Sequence, residues 1–67
     1  MLQNTISQLR KNKGVTQEEL ANAVGVTRQT IIAIEKGNYV PSLLLGIKIA
    51  AYFNSSVETV FSYEKDQ

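Results

Sequence analysis

The chain has 67 residues, a net charge of +1, and neither cysteine nor histidine. A chain this short allows one domain, residues 1–67, with a core of marginal size. Without those two residue types, disulfides, thiolate or imidazole metal sites and the commonest general base are excluded, so we predict no enzyme, no cofactor and no metal.

Apolar runs and charges limit the partners that this chain can have. It carries no basic-then-apolar leader and no apolar run near the ~18 residues of a membrane span, so we expect a cytoplasmic protein without a membrane partner. Residues 1–53 hold six basic and three acidic side chains, a net charge of +3. Residues 54–67 hold one basic and three acidic side chains, a net charge of −2. The basic part would face a polyanion, but ordinary solvated surface explains these charges equally well.

Helical spacing of apolar residues predicts two helices in the first third of the chain. Ile6 and Leu9 share one face of the first helix, which ends at Gly14. Thr16 and Glu19 have the spacing of a capping box at the start of the second helix. That helix is predicted to end at Gly25 and to turn three residues inward: Leu20, Ala21 and Val24.

Three further helices follow. Thr27 caps a third helix over Arg28–Lys36, Ser42 starts a fourth, and Ser56 caps a short fifth helix through Val60. The predicted inward set of the fourth helix is Leu43 or Leu44, with Ile47, Ala50, Ala51 and Phe53. Leu2–Gln3 and residues 61–63 are candidates for a small terminal β-pair. The predicted fold is all-α, a compact five-helix bundle.

The turn between the second and third helices is Gly25-Val26-Thr27. A glycine-containing turn of this length joins the helices of a helix-turn-helix, although many helical hairpins use it too. The match becomes specific over Leu9-Arg10, residues 16–21, residues 25–27, Ile31, residues 34–37, Pro41-Ser42 and Leu45. In these residues the chain resembles Cro/CI-type (XRE-like) helix-turn-helix regulators with a lambda repressor-like domain, above all the very small stand-alone regulators of gram-positive bacteria.

This resemblance implies a sequence-specific regulator of transcription that binds double-stranded DNA. It implies a homodimeric repressor that reads a palindromic operator in the major groove, with the helix-turn-helix at about 17–36. The implied base-contacting residues are Thr27, Arg28, Gln29, Thr30, Ile32 and Ala33. The implied phosphate-contacting residues are Thr16, Gln17, Lys36, Asn38 and Tyr39.

Side-chain chemistry agrees with two of these roles. Arginine bonds the two acceptors of guanine, and glutamine pairs with adenine as donor and acceptor, which suits Arg28 and Gln29. For Ile32 two interpretations stay open: contact with a thymine methyl, or exposed apolar surface beside the groove. Family members that carry Arg10 and Glu35 tend to join them, so the resemblance also implies a partly buried salt bridge between the first and third helices.

The fifth helix and tail, residues 56–67, are the expected dimerisation region. Its candidate residues are Asn54, Ser55, Val57, Val60 and Phe61, with Leu44 or Tyr63 as further candidates. For Val60 and Phe61 a place in the monomer core is an equal alternative. No effector domain fits after residue 61, so we expect no small-molecule ligand, and control by abundance or a regulatory protein partner. The alternative function is an antitoxin or other protein-binding partner on the same scaffold.

Overall fold

The computed structural model describes residues 2–65. Five helices lie between two short strands, and their bounds are β1 (Leu2–Asn4), α1 (Ile6–Lys13), α2 (Gln17–Val24), α3 (Arg28–Glu35), α4 (Leu43–Tyr52), α5 (Val57–Val60) and β2 (Phe61–Tyr63). The all-α prediction with a terminal β-pair is confirmed. Helix α3 ends one residue earlier than predicted, because Lys36 is its C-cap and Gly37 then turns the chain at φ +80°.

Serine and threonine hydroxyls start four of the five helices. In each case the hydroxyl accepts the backbone N–H three residues later, and the capping residues are Thr16, Thr27, Ser42 and Ser56. Each such cap stabilises its helix by about 1 kcal/mol. Helix α1 differs: Thr5 makes no side-chain cap, and Asn4 Oδ1 instead accepts from Ile6 N at 3.1 Å.

The core lies where the inner faces of all five helices meet the start of β2. Its buried apolar residues are Ile6, Leu20, Ala21, Val24, Ile31, Ile34, Leu45, Ile49, Ala50, Val60 and Phe61. Leu2, Leu9, Val26, Tyr52, Phe53 and Val57 pack around it, partly buried. The inward residues predicted for α1 and α2 therefore face this core.

The predicted inward face of α4 is largely wrong. Leu43 and Leu44 are 74% and 62% exposed, and Ile47 and Ala51 are exposed as well, whereas Leu45, Gly46, Ile49 and Ala50 are buried. Of the predicted set, Ala50 is buried and Phe53 packs partly buried against the core. The physical reason is composition: apolar residues occur on every face of this helix, so helical spacing alone does not select one. Phe61 marks the chosen face, since a Cβ built at Gly46 would lie 3.6 Å from the edge of its ring.

Strands β1 and β2 pair antiparallel and join the two ends of the described chain. The register sets Leu2 against Tyr63, Gln3 against Ser62 and Asn4 against Phe61. Immediately after the strand, Thr5 N donates to Val60 O at 2.9 Å, which fastens the start of α1 to the end of α5. Within residues 2–65 no helix has the length and hydropathy needed to cross a bilayer.

Candidate nucleic-acid interface

The joint between α2 and α3 is a tight turn that a glycine makes possible. Gly25 has φ +80°, a left-handed conformation that costs glycine little and other residues about 1 kcal/mol. The N–H groups of Gly25 and Val26 both donate to Ala21 O, at 2.9 and 3.0 Å, and close the end of α2. Val26 then packs half-buried against the core, so α3 leaves the turn at a fixed angle.

The first turn of α3 presents polar side chains outward. Ile31 and Ile34 are buried with 0% and 2% exposure and hold one face of the helix on the core. Arg28 and Gln29, one and two residues after the cap, are exposed. Both have long side chains with hydrogen-bond donors, and both lie on the exposed side of a helix whose other side packs on the core. They can therefore reach several ångströms into a groove without a change in the backbone.

Thr27 and Thr30 are already engaged with each other. Thr27 Oγ1 accepts from Thr30 N at 3.3 Å, and the two hydroxyl oxygens lie 3.2 Å apart. The two hydroxyls therefore lie beside the first turn of α3, where the Thr27 hydroxyl caps the helix. Further along, Ile32 and Ala33 are half-buried, so Ile32 is neither a core residue nor a fully exposed one.

Arg10 and Glu35 form a bidentate ion pair between α1 and α3. Arg10 Nε donates to Glu35 Oε2 at 2.6 Å, and Nη2 donates to Oε1 at 3.2 Å. The two side chains are only 13% and 9% exposed, so the pair is largely shielded from water. Arg10 Nη1 also donates to Val15 O at 3.1 Å, which ties the loop before α2 to the same group.

Gln17 belongs to this ion-pair network. Its Nε2 donates to Glu35 Oε1 at 3.1 Å. The resemblance implied only a phosphate role for Gln17, and spacing along the chain gives no signal for a bond between residues 18 positions apart. Thr16 is likewise occupied, because its hydroxyl accepts from Glu19 N while its own N–H donates to Glu19 Oε1 at 2.8 Å.

The segment after α3 is exposed and closely turned. Lys36, Asn38 and Tyr39 all lie on the surface, with Tyr39 49% exposed. Asn38 N donates to Ala33 O at 2.9 Å, so the segment folds back on the end of α3. Between this helix and the start of α2 runs an open depression of about 520 Å³, lined by Arg10, Val15, Thr16, Gln17, Glu18 and Arg28.

The predicted dimerisation residues fall into two groups. Asn54 is exposed in a left-handed turn, and Ser55 and Val57 are half-buried. Val60 and Phe61 are 0% and 8% exposed and belong to the monomer core. Of the two alternatives held for these residues, burial therefore supports the monomer core, since Val60 has no exposed surface left for a partner and Phe61 keeps only 8%.

Beside this region lies an exposed apolar surface of which only Leu44 was predicted from the sequence as a dimerisation candidate; Tyr63, the other further candidate, is 77% exposed. Val40, Leu43, Leu44 and Ile47 are all exposed, and we call them the α4 apolar face. Leu43 also lines an apolar depression of about 140 Å³ together with Leu2, Pro41, Ser42, Gly46, Val57 and Phe61. The excess of apolar residues in α4 over what one small core needs was the signal that could have revealed it.

Relatives of this chain extend along nearly its whole length. A family model for the helix-turn-helix, HTH_3, matches residues 6–65. The HTH-type transcriptional regulator YgzD of Bacillus subtilis is 51% identical over 65 residues, which is 97% of this chain and 98% of that protein. The archaeal regulator MJ0272 of Methanocaldococcus jannaschii is 50% identical over 66 residues, 98% of this chain and 100% of that protein.

A phage protein is a more distant relative, and two solved structures share the fold. RstR, the transcriptional repressor of cryptic phage CTXphi from Vibrio cholerae, is 34% identical over 62 residues, 92% of this chain and 56% of its own. The N-terminal DNA binding domain of SinR from Bacillus subtilis matches with TM-score 0.73 and 36% identity, over 81% of this chain and 80% of that one. A transcriptional regulator from Listeria innocua matches with a TM-score of 0.78 over 97% of this chain and 64% of that one. At 23% identity this match shows a shared fold alone.

The relatives and the geometry agree. A glycine turn joins two core-anchored helices, the second of which presents its first turn outward, and the family model spans this unit together with the helices that support it. This chain therefore belongs to the XRE-like (Cro/CI-type) helix-turn-helix family of DNA-binding transcriptional regulators.

Proposed function

We propose that the chain is a homodimeric repressor that reads a palindromic operator through the major groove, with α3 as its recognition helix. The observation that carries the proposal is the position of Arg28 and Gln29. Both are exposed on the first turn of a helix whose opposite face is buried and whose last residue is fixed by an ion pair. A rigid helix with two such donors suits direct readout of base edges.

The roles within this interface follow from side-chain chemistry. Arg28 bonds guanine and Gln29 bonds adenine, while the hydroxyls of Thr27 and Thr30 suit a phosphate oxygen and their methyl groups suit a thymine methyl. Ile32 and Ala33 line the base-facing side one turn later. Lys36, Asn38 and Tyr39 bind the backbone phosphates beyond the helix, and the start of α2 at Thr16 and Gln17 meets the phosphates before it.

The sign of regulation is proposed from a relative. RstR carries the name of a transcriptional repressor and is 34% identical. A bound dimer of this size acts most simply by occupying DNA that the transcription machinery needs.

For the homodimer we propose the α4 apolar face together with Asn54, Ser55 and Val57. The support is that Leu43 of this face and Val57 line the same apolar depression. Exposed large apolar side chains are unfavourable in water, and a second copy of the same face would cover them through a two-fold axis. Two recognition helices then lie about 34 Å apart, one turn of DNA.

Selection of bound duplexes from a random DNA library tests the readout and the symmetry together. The proposal predicts enrichment of two inverted half-sites whose centres lie about 10 base pairs apart. Enrichment of a single unpaired half-site would contradict the dimer, and recovery of unenriched DNA would contradict sequence-specific binding.

The dimer surface is tested separately by sedimentation. Leu43→Glu places a charge on the α4 apolar face and is expected to shift the protein to the monomer at micromolar concentration. Gln8→Glu, which adds the same single charge on the exposed side of α1, is the matched control and should leave the dimer intact. Equal sedimentation of both variants as dimers would contradict this interface.

A further inference from the structure

We propose that Gln17 is a positioning residue whose contribution to DNA binding passes through Glu35. This inference rests on the proposed DNA-binding function and deepens it, because it replaces a direct phosphate contact of the Gln17 side chain by an indirect one. Gln17 is the first residue of α2 and Glu35 is the last residue of α3, so the bond between them joins the two ends of the helix-turn-helix.

The direction of this hydrogen bond is fixed by chemistry. An ionised carboxylate only accepts hydrogen bonds, so the amide atom that faces Glu35 Oε1 at 3.1 Å is the nitrogen of Gln17. Oε1 also accepts from Arg10 Nη2 at 3.2 Å, and Oε2 accepts from Arg10 Nε at 2.6 Å. Glu35 thus receives three N–H groups while its side chain is 9% exposed, which satisfies a poorly hydrated charge.

The network joins three helices and the loop before α2, close to the phosphate site proposed at the start of α2. Arg10 comes from α1 and also holds Val15 O of the loop before α2, Gln17 begins α2, and Glu35 ends α3. The free N–H groups in the first turn of α2 attract an anion, and their position relative to α3 decides whether phosphate and base contacts form together. Gln17 fixes that relative position.

Salt dependence does not distinguish this role from a direct contact. Glutamine is neutral, so a phosphate contact through its amide releases no counterion, and neither role changes the slope of affinity with salt. The two roles differ in their dependence on Glu35. If Gln17 acts by positioning, its substitution lowers DNA affinity only when the Glu35 carboxylate is present. If Gln17 binds phosphate directly, its substitution lowers DNA affinity whether or not that carboxylate is present.

The first experiment observes the bond in the free protein, without DNA. Nitrogen-15 NMR of the Gln17 side-chain NH₂ is compared between wild type and the double variant Arg10→Met plus Glu35→Leu, in which apolar side chains replace the ion pair. Such replacements often preserve folding. We expect the Gln17 NH₂ resonances to move while those of Gln8, whose Nε2 bonds Asn12 on exposed α1, stay in place. Unchanged Gln17 resonances would overturn the proposal.

The second experiment is a double-mutant cycle in DNA affinity. Gln17→Met keeps the length of the side chain and removes its N–H groups. Binding to a duplex of about 20 base pairs selected by the wild type is measured at one salt concentration and at a temperature where each variant is folded by circular dichroism. In the wild-type background we expect Gln17→Met to weaken binding roughly three- to thirty-fold.

In the Arg10→Met plus Glu35→Leu background the same substitution is expected to change affinity less than two-fold, within the roughly ±0.5 kcal/mol scatter of independent sites. Glu35→Gln, which keeps the shape of the side chain, is a second background in which the effect should shrink but persist. Gln8→Met is the matched control and should leave affinity unchanged in all backgrounds. An equal loss in every background would establish a direct phosphate contact and overturn the proposal.

Two other results are also decisive. A lowered melting temperature with unchanged affinity would make Gln17 a stabilising residue only, and would overturn the positioning role. If the wild type binds no duplex, the proposed function fails, while the NMR comparison still decides whether Gln17 and Glu35 are joined.

Discussion

The α2–α3 joint and helix α4 pack on the same core, but they are held by different chemistry. At the joint, the hydroxyl caps, the glycine turn and the Arg10–Glu35 pair all depend on hydrogen bonds to particular atoms. These bonds fix the position of each group that makes them. Helix α4 has directional bonds at its two ends, the Ser42 cap and the left-handed turn at Asn54, but the choice of its buried face is decided by which apolar residues the neighbours cover. Directional bonds specify position from local sequence, whereas apolar contacts specify it only through the assembled core.

The largest effect is expected where a directional bond is buried. Arg10→Ala leaves the Glu35 carboxylate without its ionic partner at a site that is 9% exposed, and should lower the free energy of unfolding by roughly 3–5 kcal/mol. Urea denaturation followed by circular dichroism measures the change. The paired replacement Arg10→Met plus Glu35→Leu is the control and should cost far less. If the single and paired variants are equally unstable, the pair does not hold α1 on α3.

Helix α4 offers a matched pair of isoleucines two residues apart. Ile49 is 0% exposed and Ile47 is 46% exposed. We expect Ile49→Ala to lower the free energy of unfolding of the folded unit by about 2–5 kcal/mol through a cavity in the core. Ile47→Ala should lower it by less than about 1 kcal/mol at protein concentrations that keep the chain monomeric. Equal losses, or the reverse order, would restore the inward face first predicted for this helix.

The smallest effect is a gain. Gly46 is in the middle of α4 with a helical backbone, and a Cβ there would make an ordinary contact with the Phe61 ring at 3.6 Å. Gly46→Ala should therefore raise the stability by about 0.5–1 kcal/mol, because alanine loses less backbone freedom on folding. Gly25→Ala is the contrasting variant, since φ +80° strains alanine and should make it destabilising. A loss of stability in Gly46→Ala would mean that α4 and Phe61 are packed more tightly than described.

The same contrast explains what the sequence could predict. Helix starts were predictable because a serine or threonine three residues before a free N–H is a local signal, and Thr16 with Glu19 forms the full reciprocal capping box. The buried faces of α1, α2 and α3 were predictable because each of these helices has enough polar residues to mark an outer side. In α4 the polar residues are too few to mark an outer face, so Leu43 and Ile47 were assigned inward although they are exposed.

Two polar contacts were beyond sequence reasoning for a different cause. Gln17 bonds Glu35 across 18 residues, and Asn4 Nδ2 donates to Ile34 O across 30 residues at 2.9 Å. Glutamine and asparagine occur on many exposed surfaces, and nothing in their local spacing marks a distant acceptor. Such bonds become visible only when the packing of α1, α2 and α3 is known.

The central claim is that Arg28 and Gln29 read bases from the exposed first turn of α3. The most direct test measures the ratio of affinities for the selected operator and for a scrambled duplex, in wild type and in Arg28→Ala plus Gln29→Ala. With about 1–3 kcal/mol of discrimination per bidentate contact in each half-site, we predict that the ratio falls by roughly 100-fold or more. Lys48→Ala plus Gln8→Ala removes the same charge and amide elsewhere and should keep the ratio. An unchanged ratio in Arg28→Ala plus Gln29→Ala would contradict the assignment of α3 as the recognition helix.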